Sequence, residues 1–167
     1  NIQLQKNTTQ DFYLNSSVLE GGNVIVTSFL RATSTRRTPT PVTIIKKDEL
    51  FLGVSSNLID ALSKVPGVSQ ISTGPAISKP VIRGLGYNRV VVMNDGIRQE
   101  GQQWGDEHGI EIDEYNVSRT EVLKLPASLI YGSDALAGVI NIISNVPVSE
   151  GVIKGNVYSN YQTNNRM

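Results

Sequence analysis

The stretch PVIRGLGYNRVVVMNDGIRQ, residues 80–99, decides how this chain folds. Its second half carries the β-branched run Val90-Val91-Val92, then Asp95-Gly96, whose glycine tolerates the positive φ of a tight turn. That order predicts a β-hairpin turning at Asp95-Gly96. Its first half belongs to SKPVIRGL (78–85), a short strand that runs out at glycines. Gly84-x-Gly86 has no third glycine, and neither a phosphate-loop lysine nor a long helix follows, so a nucleotide site is not indicated.

Upstream, VSSNLIDALSKVPGV (54–68) predicts the clearest helix of the chain. Ser55 or Ser56 can accept hydrogen bonds from the free amides of its first turn. Leu58, Ile59, Leu62 and Val65 fall on one face at helical spacing, and Pro66-Gly67 ends it. Val42-Thr43-Ile44-Ile45 and VSQIS (68–72) read as strands. Downstream, a short helix is expected near Asp113–Val117, then the strand RTEVLKL (119–125). PASLIYGSDALAG (126–138) reads as a helix or turn pair, and GVINIIS (138–144) as a buried strand. Strands interleaved with brief helices predict an α+β domain with a small mixed sheet.

At 167 residues the chain suits one domain with a short appendage. Apolar content of 39% and charged content of 18% describe a folded protein. The formal charge is zero, which gives no electrostatic reason to expect nucleic acid. The charge is nonetheless uneven. Residues 1–98 hold eleven Lys and Arg against six Asp and Glu, whereas residues 99–121 hold seven acids and one base, Arg119. There is no cysteine, hence no thiolate nucleophile and no Cys-type zinc site. No apolar run is long enough to cross a bilayer as a helix. Asn1 at one end, and polar alternation breaking off at Met167 at the other, read as a piece of a longer, processed polypeptide.

Outside the central block the composition changes. Residues 1–17 alternate apolar and polar positions, as a hairpin or edge strands do. Val24-Ile25-Val26-Thr27 is a short run of high β propensity. LRATSTRRTPTP (30–41) is polar, basic and proline-bearing, the composition of an extended linker. In the tail, Ile153, Val157 and Tyr161 share one face of a strand-like alternation, which suits either an ordinary edge strand or a strand between lumen and lipid.

NLIDALSKVPGVSQIS (57–72), PVIRGLGYNRVVVMNDGIRQ (80–99) and RTEVLKLPASLIYGSDALAGVINIIS (119–144) together resemble the plug domain of TonB-dependent outer-membrane receptors. Each motif alone is common; four in order and register are specific. One position departs: the family usually has glycine before Pro126, and here Leu125 stands there.

The resemblance implies a domain plan. Residues 1–19 would end a preceding carboxypeptidase-regulatory-like β-domain of the kind found in many receptors of the Bacteroidota. Residues 20–41 would be the TonB-box region and linker, 42–146 the plug, and 147–167 the truncated start of the first barrel strand. Partners implied are the receptor's own barrel of about 22 strands, the periplasmic domain of TonB and a small cargo, with the outer membrane reached through the barrel. No resident cofactor is required. Val24, Ile25, Val26 and Thr27 would pair with the open sheet edge of TonB by strand addition. A plug in a polar lumen should expose polar side chains, and no exposed aliphatic patch is evident.

QQWGDEHGIEIDE (102–114) concentrates the acids. It holds the chain's one tryptophan and one histidine beside Asp106, Glu107, Glu111, Asp113 and Glu114. In the resembled family this segment faces the extracellular side and meets cargo, which implies Trp104, Asp106, Glu107 and His108 as cargo-binding residues. Glu107 and His108 are suitable ligands for zinc or another divalent metal, but a site wants about four donors, so barrel loops would complete it. Haem is the rival cargo, with His108 as axial ligand and Trp104 or Tyr115 stacking; a siderophore is another. The simpler alternative is that these acids cap turns and the short helix starting near Asp113.

An enzyme is not indicated. Ser133 lacks the G-x-S-x-G context of a nucleophile elbow, and His108 has no paired nucleophile. A free-standing soluble binding or signalling module built on the plug fold remains the other reading.

Overall fold

The computed structural model describes residues 25–26, 33–34, 42–51, 55–74, 77–103, 105–124 and 127–159. The expected end of a preceding domain (1–19) and residues 160–167 of the expected barrel strand lie outside them. Nine strands and two short helices are described: β1 Ile25–Val26, β2 Thr33–Ser34, β3 Val42–Lys46, α1 Lys47–Phe51, α2 Leu58–Leu62, β4 Val68–Gly74, β5 Ile77–Ile82, β6 Val90–Asn94, β7 Ile97–Gln99, β8 Val117–Lys124 and β9 Gly138–Ser144.

Five strands form one mixed sheet in the order β3-β8-β9-β6-β7. β6 and β9 pair parallel, Val90 opposite Gly138 and Asn94 opposite Ile142, and the other neighbours pair antiparallel. The Asp95-Gly96 hairpin forms as the sequence predicts, with φ of 50° and 82° at its two turn residues. Positive φ at both positions matches the right-handed twist of the flanking strands.

The run Val90–Met93 is apolar at every position because both sheet faces are covered. Val90 and Val92 point into the main core with Leu62, Ile82, Val122, Ile140 and Ile142. Val91 and Met93 point the other way, onto Leu123, Val139 and Ala135. The second face is closed by the 3-10 turns Ala127–Tyr131 and Ser133–Ala135, which is how the PASLIYGSDALAG segment resolves. A separate hairpin, β4–β5, adds Val68 and Ile82 to the main core.

The helix predicted from residue 55 is shorter and capped elsewhere. Its N-cap is Asn57, whose Oδ1 accepts from the Asp60 amide at 2.9 Å, not Ser55 or Ser56. Asn57 also reaches the buried Ser78 hydroxyl through Nδ2 at 3.0 Å, bonding the start of the helix to β5. Asp60 in turn accepts from the amide of Ser56, the residue before the cap, at 2.9 Å. Leu58, Ile59 and Leu62 are buried as expected.

Residues 145–159 carry no strand, and Tyr158 stacks on Phe51 with ring centroids 5.4 Å apart and meets Tyr115 tilted at 5.3 Å. This segment also carries the most exposed aliphatic side chains among the described residues. Ile153 and Val157 are 99% and 97% exposed, because this stretch runs outside both core clusters.

Candidate functional site

Residues 101–116 connect β7 to β8 and carry the acids of the chain's most anionic stretch. A turn closes at its tip, where the His108 amide donates to the Gly105 carbonyl at 3.2 Å. Three side chains from elsewhere grip that turn. Lys79 of β5 donates through Nζ to the same Gly105 carbonyl. Thr73 of β4 donates through Oγ1 to the Asp106 carbonyl at 3.0 Å. The Tyr87 hydroxyl donates to Asp106 Oδ1 at 3.2 Å.

Lys79 is 2% exposed, and its Nζ lies 4.9 Å from the Tyr87 ring centroid. A buried ammonium needs such partners to offset its lost hydration. Tyr87 holds a left-handed φ of 56°, a conformation costly for a bulky side chain. The Asp106 carboxylate pushes the Tyr87 hydroxyl above its ordinary range, first by accepting its hydrogen bond and then by its charge. The phenol therefore stays a donor through the neutral range.

The predicted cargo residues separate accordingly. Asp106 is tied into the clamp by both its carboxylate and its carbonyl. Glu107 is open, with its side chain 75% exposed, and its Oε1 lies 3.8 Å from His108 Nε2. Trp104 lies outside the described residues. Tyr115 stacks on Phe51, centroids 5.8 Å apart at 15°. Among the described residues no three His, Asp or Glu side chains cluster to hold a metal ion. Asp113 caps the 3-10 turn Glu114–Asn116, its carboxylate accepting from the Tyr115 amide at 3.0 Å. Burial pushes the Glu114 carboxyl up, Tyr115 bonding it works in the opposite direction, and the Asp113 charge adds to the rise.

Sequence reasoning missed Lys79, Thr73 and Tyr87. A signal existed for the first: a lysine set against the apolar PVI run is a charge where a strand should bury its side chain. Nothing local marks the other two.

Of the residues expected to pair with TonB, Ile25 and Val26 form β1, which pairs antiparallel with β2 as Ile25 opposite Ser34 and Val26 opposite Thr33. Val24 and Thr27 lie outside the described residues.

A family model described as the TonB-dependent receptor plug domain matches residues 34–139. The chain belongs to this family. It is an α+β plug of an outer-membrane receptor, and its place is the cell outer membrane. Among the described residues no helix is long and apolar enough to cross a membrane, which says nothing of a β-barrel.

The plug is 34% identical over 128 residues to the iron-regulated outer membrane virulence protein of Vibrio cholerae, covering 72% of this chain and 20% of that protein. It is 30% identical over 141 residues to the hemin receptor of Yersinia enterocolitica, covering 84% and 20%. Its fold is similar to that of a ferric enterobactin receptor mutant of Pseudomonas aeruginosa in complex with enterobactin, with a TM-score of 0.54 and 26% identity, covering 70% of this chain and 19% of that chain. The chain thus spans about a fifth of the length of these proteins. The relatives named are receptors and outer-membrane proteins, not enzymes.

Proposed function

We propose that this plug occludes the lumen of its receptor's barrel, meets a metal-bearing cargo through the turn 105–108, and couples to TonB through residues 24–27. The observation that carries the cargo reading is the clamped turn, which leaves the Glu107 carboxylate in solvent beside the His108 imidazole. A carboxylate and an imidazole suit a metal ion or the iron of haem. With no third ligand close by among the described residues, the rest of such a site would come from the barrel. The hemin receptor among the relatives supports haem over a bare metal ion.

The test is titration of the full-length receptor with zinc, copper, iron and haemin, wild type beside His108→Ala and Glu107→Ala. The wild type should bind at least one of them more tightly than either variant, and less tightly on acidification, because a protonated imidazole cannot ligate. Equal affinities in all three proteins for all four probes would reduce the acids to caps on solvated turns.

The TonB reading rests on the β propensity of 24–27 and the linker behind it. Proline at Ile25 or Val26 removes a backbone donor and should abolish uptake while cargo still binds to cells; alanine should be milder. Unchanged uptake by the proline variants would remove the assignment.

A further inference from the structure

We infer that Lys79 is the positioning residue of the cargo turn, its buried ammonium fixing where Glu107 and His108 stand relative to the β4–β5 hairpin. In its cargo consequence this rests on the reading just proposed; the positioning itself does not.

The geometry puts one lysine at the meeting point of three elements. Lys79 lies on β5, the Tyr87 ring it faces lies on the 3-10 turn before β6, and the carbonyl it bonds lies in the β7–β8 connection. The Gly105 carbonyl accepts from Lys79 Nζ and from the His108 amide together. One acceptor atom therefore links the ammonium to the backbone of the candidate ligand. Thr73 and Tyr87 hold the next residue, Asp106, by its carbonyl and its carboxylate. A turn of this kind has few apolar contacts to fix it, so its position depends on these polar bonds. The bond from the Lys79 ammonium and the Tyr87 bond to the Asp106 carboxylate are the charge-assisted ones among them, and only the first reaches the backbone that His108 shares.

An apolar residue at position 79 would suit the buried strand better if packing were all that mattered. Among the described residues the ammonium bonds only the Gly105 carbonyl, besides its contact with the Tyr87 ring. Its burial is therefore accounted for by the turn it holds.

The chain has no cysteine, so a pair of spin labels can be placed cleanly in the full-length receptor once any cysteine elsewhere has been removed. Ser69, exposed on β4, and Glu107, exposed on the turn, are the label sites after Ser69→Cys and Glu107→Cys. The inter-label distance should be narrowly distributed in the parent, broad in Lys79→Met and narrow again in Lys79→Arg. In the unlabelled receptor, haemin and zinc affinity should fall about tenfold in Lys79→Met, the effect of losing a hydrogen bond to a charged group, and recover in Lys79→Arg. A distribution in Lys79→Met as narrow as the parent's would overturn the inference. So would one in Lys79→Arg as broad as in Lys79→Met, since side-chain fit and not charge would then be responsible. If Lys79→Met fails to fold, Lys79→Gln decides in the same way, keeping a donor without the charge. A broadened distance with haemin and zinc affinities unchanged in both Lys79→Met and His108→Ala would uphold the positioning role and sink the cargo reading alone.

Discussion

The Arg98 guanidinium donates through an Nη to the Asp134 carboxylate across 2.5 Å, joining β7 to the 3-10 turn that precedes β9. Arg98 holds the Asp134 carboxyl below the ordinary carboxylate range, by hydrogen bond first and by charge second. Because folding lowers this pKa, its stabilisation is present above the ordinary Asp value of about 3.9 and is lost as pH falls through the folded value. Asp134→Asn should therefore be less stable than wild type at neutral pH, and the gap should close in strong acid. Urea midpoints measured at pH 7 and again below pH ~3 check this; a gap independent of pH would exclude the ion pair as its cause. Both side chains are partly exposed, so added salt should narrow the gap as well.

Gly138 opens β9 where a side chain has no room. A Cβ there would lie 2.5 Å from the Leu123 carbonyl oxygen and 2.8 Å from Ile82 Cδ1. The first of these is backbone of the neighbouring strand and cannot swing away. Gly138→Ala should destabilise by about 2–3 kcal/mol, the scale of overpacking in a core. Gly155→Ala, with nothing within 4 Å, should stay within about 0.5 kcal/mol. Denaturation midpoints of the two variants side by side decide the matter.

Asn57→Ala should cost about 1–2 kcal/mol, because it removes the cap of α2 and the bond to Ser78 together. Ser55→Ala, which loses a surface bond from Lys64, should cost less. The order of the two thermal midpoints is the readout, and the reverse order would restore the cap to the serines.

Glu121 is fully buried, and Arg119 Nε approaches its carboxylate at 3.1 Å while keeping a quarter of its own side chain exposed. Arg119→Met should destabilise by about 2 kcal/mol, less than removing one partner of a wholly buried pair. The double change Arg119→Met with Glu121→Gln should recover part of that loss, measured as a double-mutant cycle in urea. Strict additivity would mean the two side chains do not interact.

The sequence by itself determined the pieces whose causes are local. A turn such as Asp95-Gly96 is set by what φ its residues tolerate, and the end of a helix by Pro66-Gly67, so both were legible. The β-branched run Val90-Val91-Val92 announced a strand of a hairpin, and motif order announced the family; that both its faces are covered came from the packing. The acids of 102–114 were visible as a cluster, and the cap at Asp113 followed from the charge of a carboxylate beside free amides. Tertiary structure alone decided what depends on residues far apart in the chain. Nothing within reach of β6 says that β9, some 48 residues on, will be its parallel neighbour. The bond from Asn57 to the sheet depended on Ser78, 21 residues away, and the hold on Asp106 depended on Thr73, 33 residues before it. Local propensity acts over one turn of chain, whereas a buried polar group is satisfied by whichever partner packing brings within about 3 Å. That is why the acidic segment could be read from the sequence, whereas Lys79, conspicuous as a charge in an apolar strand, gave no sign there of the turn it holds.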